Sequence, residues 1–205
     1  VIAYASRTGT VSTLATLHAG EWRQLIAPGQ RPTHTRGWML DSGAWSAYSR
    51  GVSLDLGAFL RHLVRWGRHA DMVVAPDIVA GGAASLALSL AWLPACMWNC
   101  RRTLIAVQDG MTEADLERAP LGPRVGLFVG GTTEWKLATA VRWGRYARAR
   151  GCWLHVGRVN SAKRIDLCRA AGADSWDGKS AVLFPTTFPL LDQANRQRGL
   201  FTRST

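Results

Sequence analysis

The stretch Val125-Gly126-Leu127-Phe128-Val129-Gly130-Gly131-Thr132-Thr133 decides how the fold is read. Five apolar residues run without polar alternation. A strand covered on both faces has this pattern, and such strands belong to parallel sheets. The Gly-Gly-Thr-Thr turn leads into residues 133–150, a segment long enough to cross back over the sheet. Trp135, Ala138, Val141 and Ala149 are spaced to share one side of that helix. A second apolar run, Trp153-Leu154-His155-Val156, follows. Together these form a strand–helix–strand unit, the connection that parallel strands require.

The same alternation extends in both directions. Apolar runs at 1–5, 24–27, 38–41, 72–76, 104–108 and 174–177 bring the strand count to eight. Helical patterns lie at 54–66, with Leu56, Leu60, Leu63 and Val64, and at 83–93 and 160–171. Eight such units predict an α/β fold, a compact (β/α)8 TIM-like barrel forming a single domain over 1–205. An open doubly wound sheet is the alternative. The chain is shorter than the roughly 250 residues usual for the barrel. Some helices must therefore be short or missing, most obviously where 28–36 is loop-like. From about 195 the chain is polar and basic and reads as a frayed tail.

Composition narrows the function. Of 205 residues, 47% are apolar and 19% charged, which excludes disorder as the main state. The net charge of +11 predicts an anionic partner, nucleic acid being the commonest. The longest apolar tract, 83–98, is broken by Ser85, Ser89 and Pro94 and is too interrupted to span a membrane. The first residues lack the pattern of a cleavable signal. Cys96, Cys100, Cys152 and Cys168 are scattered, so they read as reduced thiols, and cytoplasmic residence is expected. Neither Cys nor His falls at metal-ligand spacing, so no metal and no cofactor are expected.

The chemistry gathers where strands end. Asp41-Ser42-Gly43, Pro76-Asp77, Gln108-Asp109, Gly130-Gly131, His155-Val156-Gly157-Arg158 and Asp177-Gly178 each follow an apolar run. In a parallel barrel these ends converge on the face that holds active sites. Each Asp alone reads equally well as a helix cap. Four together suit acid–base or nucleophilic work on a glycosidic bond. Asp77, Gln108 and Asp109 match the donors and acceptors of a base edge. Gly130 and Gly131 are expected to let backbone N–H groups approach a ligand. Arg7, Arg50, Arg158 and Lys179 follow strand ends, and Arg196 and Arg198 lie in the tail; all six are expected to contact a nucleic-acid backbone. The stripes Arg61, Arg65, Arg68 and Arg142, Arg145, Arg148 read first as solvated helix faces.

Taken in order, these segments resemble the tRNA-guanine transglycosylases. Asp41-Ser42-Gly43-Ala44-Trp45 is similar to that family's Asp-Ser-Gly-Gly-Phe segment. Ala75-Pro76-Asp77, Ala106-Val107-Gln108, Val129-Gly130-Gly131 and His155-Val156-Gly157-Arg158-Val159 resemble its later motifs. Gly172-Ala173-Asp174-Ser175-Trp176-Asp177 resembles its nucleophile segment. The resemblance implies a (β/α)8 barrel that exchanges guanine for a 7-deazaguanine, a co-substrate base. Asp177 would be the nucleophile at C1′ and Asp41 the acid–base residue. Asp77, Gln108, Gly130 and Gly131 would line the purine pocket. Ala44 and Ser46 depart from the family's Gly and Gln, and no Cys or His follows Asp177, so the zinc module is missing. In that respect the chain is more similar to phage-type DNA-guanine transglycosylases (DpdA-like). The expected partner is then double-stranded DNA in a host cytoplasm, ahead of tRNA, with no membrane and with oligomeric state open. An N-glycosylase or nucleoside-type hydrolase using the same carboxylates, and a non-catalytic nucleic-acid-binding barrel, are the alternatives.

Overall fold

A computed structural model describes residues 1–33 and 36–197. Eight parallel strands close into one barrel in chain order. They are β1 (Ile2–Ser6), β2 (Arg23–Ile26), β3 (Trp38–Leu40), β4 (Met72–Val74), β5 (Thr103–Val107), β6 (Val125–Val129), β7 (Leu154–Val156) and β8 (Ser175–Gly178). β1 pairs with β8 from Ile2 opposite Ser175 to Ala5 opposite Gly178, which closes the ring. Every apolar run thus forms a strand, with ends shifted by at most two residues.

The outer layer holds α1 (Val11–Ala19), α2 (Ala44–Ser49), α3 (Leu56–Trp66), α4 (Gly82–Asn99), α5 (Thr133–Ala149), α6 (Ala162–Ala171), α7 (Ser180–Leu183) and α8 (Phe188–Arg196). No helix is described between β2 and β3, as the loop-like sequence there implies. After β5 only a 3-10 turn, Glu113–Leu116, stands in for a helix. The chain stays short for its fold through these two economies.

Three expectations about the helices need correction. On α3 the buried residues are Phe59, His62 and Leu63, while Leu60 and Val64 face out. On α5 the buried stripe is Lys136, Ala140, Trp143, Gly144 and Ala147; Ala138 and Ala149 are exposed. α4 does not stop at Leu93 but continues through Pro94. Pro94 lies on the exposed side, where the carbonyl that lost its N–H partner is free to turn toward water. The supposed tail is also ordered further than expected. Asn195 and Arg196 belong to α8, and Asn195 accepts the Trp176 indole N–H at 2.9 Å.

Inside the barrel sit Tyr4, Met39, Met72, Val74 and Leu104, with Phe128 and Trp153 against them. Larger apolar clusters fill the space between strands and helices, with Trp22, Trp143 and Trp176 fully buried. Trp is therefore chiefly a packing residue here. Among the described residues no helix is long and apolar enough to cross a membrane.

Candidate active site

The strands alternate side chains inward and outward, and this sets which polar residues meet at the C-terminal mouth. Across β6, β7 and β8, Phe128 stands opposite His155 and His155 opposite Ser175. The Phe128 and His155 rings stack with centroids 5.1 Å apart. Asp177 lies two residues beyond Ser175, on the same inward face and one step nearer the mouth.

A hydrogen-bonded chain orients Asp177. The Trp153 indole N–H donates to Ser175 Oγ at 2.8 Å, and Ser175 Oγ lies 2.8 Å from His155 Nδ1. An indole can only donate, so the serine hydrogen is left for Nδ1. His155 then carries its proton on Nε2 and donates it to Asp177 Oδ2 at 3.1 Å. The Arg158 backbone N–H reaches both oxygens of Asp177 at 3.3 Å. Every one of these contacts donates to the carboxyl, as suits a carboxylate. Gly157 makes room for this arrangement. A Cβ there would come within 2.4 Å of the Phe128 ring.

Asp41 and Asp77 enter from the opposite side. Ser42 Oγ donates to Asp77 Oδ1 at 2.7 Å, and Gln108 Nε2 donates to Oδ2 at 2.7 Å. Gln108 Oε1 accepts the Ala80 N–H at 2.5 Å, in a loop where Ala80 has φ +56. Ser85 and Ser89, which interrupt the apolar tract of α4, serve this loop. Ser85 Oγ accepts the Ile78 N–H at 3.0 Å, and Ser89 Oγ donates to Pro76 O at 2.9 Å. Burial pushes the Asp77 carboxyl up to about 6, against the pull of Ser42 and Gln108. Asp41 goes further. Burial, then the Asp77 and Asp177 charges, push it up to about 7, while the N–H groups of Gly43 and Ser42 pull it down. Asp41, Asp77 and Asp177 therefore share one site.

The remaining expected residues are placed less uniformly. Asp109 sits on the rim and caps α5, accepting the Thr132 N–H at 2.7 Å and hydroxyl at 2.6 Å. Burial alone raises its carboxyl, but Thr132 and the Arg158 charge hold it below the usual carboxylate range. Both oxygens thus help to hold the loop. Gly130 does not offer its N–H, since it donates to Val107 O at 2.9 Å. Gly131 is required by the turn itself: its φ is +70, and a Cβ would meet Asp109 Oδ2 at 2.5 Å.

Arg158 reaches across the mouth. Its guanidinium donates to Gly131 O and lies 3.9 Å from the centre of the Trp45 ring. Trp45 is 43% exposed, so it is a mouth residue rather than part of the core. Arg7, Arg50 and Lys179 also follow strand ends or the short α2. Arg7 Nε donates to Arg31 O at 3.3 Å, Arg50 Nε to Ser46 O at 2.9 Å, and Lys179 is exposed. Arg196 is elsewhere. It pairs with Asp192 at 2.9 Å and donates to Ala19 O, at the end of the barrel away from the mouth. Arg198 lies outside the described residues.

Three contributors were not singled out by sequence. Ser42 and His155 are polar residues inside quoted segments, and alternation along β7 would have turned His155 inward. Lys136 is one charge within a helical stripe, 136, 140, 143 and 147, once that stripe is drawn correctly. It is buried and donates to Gly157 O. Burial, then Arg158, pulls its ammonium down to about 8.

Among the described residues no group of three His, Cys, Asp or Glu side chains is arranged to hold a metal. The four cysteines are buried and unpaired, and burial raises each thiol.

No protein-family model matches the chain, and no curated protein does. Among solved structures it is similar to triosephosphate isomerase from Bartonella henselae, at 13% identity and TM-score 0.52, over 96% of this chain and 98% of that one. It is also similar to tryptophan synthase subunit alpha from Legionella pneumophila strain Paris, at 11% identity and TM-score 0.53, over 94% and 91%. At these identities the likeness is one of fold. The chain is a TIM-like (β/α)8 barrel.

Proposed function

We propose that the chain is a base-exchange enzyme that replaces guanine in DNA by a 7-deazaguanine through a covalent Asp177 intermediate. One observation supports this reading above others. Two carboxyls at one barrel mouth differ in their surroundings: His155 and the Arg158 N–H donate to Asp177, while burial and the Asp77 and Asp177 charges push Asp41 up to about 7. A nucleophile and a general acid need that division of labour. The fold alone does not choose a reaction. The order of the transglycosylase-like segments and the charge of +11 supply the choice of guanine and of a polyanion.

The target nucleotide must leave the duplex to reach the mouth. Asp177 Oδ attacks C1′ while the C1′–N9 bond breaks, and Asp41 gives its proton to the departing guanine. The sugar is now an ester of Asp177. The incoming 7-deazaguanine loses its N9 proton to Asp41, and N9 attacks C1′ as the ester bond breaks. Two displacements at one carbon retain configuration. Water would divert the ester to an abasic site, so the mouth must be covered during exchange. Arg158 over Trp45 is suited to that cover. Asp77 and Gln108, held rigidly by Ser42 and the Ala80 N–H, are the base readers in this scheme.

The test is incubation with duplex DNA labelled in guanine, with and without a 7-deazaguanine, and the same assay on tRNA. Release of guanine only when the second base is present is expected. Release with an abasic product would replace exchange by hydrolysis, and retention under all conditions would overturn the reading.

A further inference from the structure

On the outer side of β7, the first turns of α5 and α6 face each other across a small cleft. It is lined by Thr133, Lys136, Arg158 and Arg164, over an apolar floor that includes Val156 and Leu167. Three of these side chains are cations. None of the three forms an ion pair with a carboxylate among the described residues. Lys136, only 5% exposed, has three hydrogens to place and donates to the single carbonyl of Gly157. Arg164 donates to Arg158 O at 3.4 Å, a long contact that leaves most of its donors unused. The positive ends of two helices, of 17 and 10 residues, add to the same field. Like charges gathered in this way destabilise the free protein: burial first, then the Arg158 and Arg164 charges, loosen the hold of Lys136 on its proton. Asp177 pulls on Lys136 from the barrel side and offsets only part of this.

We infer that this cleft is a phosphate site, in which Lys136 and Arg164 take the oxygens of one phosphate group. The cleft has a volume of about 10 Å³, room for a single water-sized oxygen. One phosphate oxygen enters and meets Lys136, while the others stay at the rim with Arg164 and the Thr133 hydroxyl. The site adjoins Gly157 and Arg158, whose backbone touches Asp177. A phosphate bound here would therefore fix a nucleotide beside the carboxylates. Assigning it to the DNA backbone next to the extruded base rests on the base-exchange reading; the anion site itself does not.

The test is calorimetric titration of the whole chain with inorganic phosphate, at constant ionic strength against chloride. One-to-one saturable binding is expected. Arg164→Gln, at the half-exposed rim, should weaken it about tenfold, the worth of one charge-assisted hydrogen bond. Lys136→Met should abolish it. Absence of saturable binding by the wild type, or unchanged affinity in Arg164→Gln, would overturn the site. A second arm measures DNA affinity against salt. A slope lowered by about one in Arg164→Gln assigns the phosphate to the DNA backbone. An unchanged slope, with phosphate binding lost, assigns the site to a small phosphorylated ligand instead. Phosphate binding without base exchange keeps this inference and removes the reaction; exchange without phosphate binding does the reverse.

Discussion

On the β3–β5 side of the mouth the ionisable groups are acids, Asp41 and Asp77, and burial pushes both toward neutral pH. On the β7–β8 side Asp177 is surrounded by donors, and behind it stand Lys136, Arg158 and Arg164. The first side resists becoming negative and the second holds more positive charge than it neutralises. Chemistry that moves one proton and one negative charge between two carboxyls uses such a contrast. The largest expected effect therefore comes from Asp177, the carboxylate on the cationic side. Asp177→Asn keeps the shape and removes the proposed nucleophile. Base exchange should fall by about a thousandfold or more, and covalent DNA adducts should vanish from denaturing gels. Activity within tenfold of wild type would break the comparison at its centre.

Asp41 tests the acidic side in two ways. Asp41→Asn should lower exchange by roughly a hundredfold to ten-thousandfold, the usual worth of a positioned acid–base group. It should also change how stability depends on pH. The Asp41 carboxyl titrates near 7 in the folded chain and near 3.8 as a free side chain. Between these values the native state binds more protons, so the contribution is full below the lower value and lost as pH rises through the upper one. Lys136 behaves oppositely, its folded value of about 8 lying below the ordinary 10.5. Its contribution is full above 10.5 and lost as pH falls through 8. In denaturant titrations from pH 5 to 9, Asp41→Asn should gain on wild type as pH rises, by on the order of a few kcal/mol. Lys136→Met should gain as pH falls.

How much of this was legible follows from what each residue's neighbours demand. All eight strands could be read because strands buried on both faces leave long apolar runs, and the carboxylates could be placed because strand ends in a parallel barrel share a face. The helix faces were less legible. On α5 apolar residues such as Ala138 and Val141 suggest one stripe, but Lys136, Trp143 and Ala147 form the buried one, and no propensity rule favours a lysine inside. The last residues of α8 read as the start of a tail because the chain is polar and basic from about 195, whereas Asn195 is tied down by a distant indole, Trp176. The engagement of Asp109 and of the Gly130 N–H within the scaffold was also hidden. Their roles depend on contacts between loops, with Thr132 and Val107, that no local pattern announces.

His155 sharpens the comparison on the β7–β8 side. In the proposed reaction it is a positioning residue, acting through Asp177. His155→Phe leaves the stacking on Phe128 and removes the Nε2–H donor. We expect kcat to fall by about tenfold to a hundredfold with KM little changed, because a misaimed nucleophile costs rate more than binding. His155→Gln, which keeps a donor, should recover part of the loss. Equal losses in both variants, or a loss confined to KM, would point to packing alone.

The smallest effect is expected at Ser42, which supports the acidic side from outside the reaction. Its hydroxyl donates to Asp77 Oδ1 at 2.7 Å and accepts the Ala44 N–H at 3.2 Å, so it ties the carboxyl to the start of α2. Ser42→Ala removes a donor that holds the Asp77 carboxyl down, and burial then acts with less opposition. Asp77 should titrate higher than in wild type, readable as a shift of its carboxyl carbon resonance with pH. Stability near neutral pH should fall by about 1–2 kcal/mol, the cost of leaving one buried acceptor without its partner. The loss should shrink as pH drops, because a protonated Asp77 needs that donor less. A loss independent of pH would show that Ser42 serves the α2 turn rather than the carboxyl, and would leave Gln108 as the residue that holds Asp77.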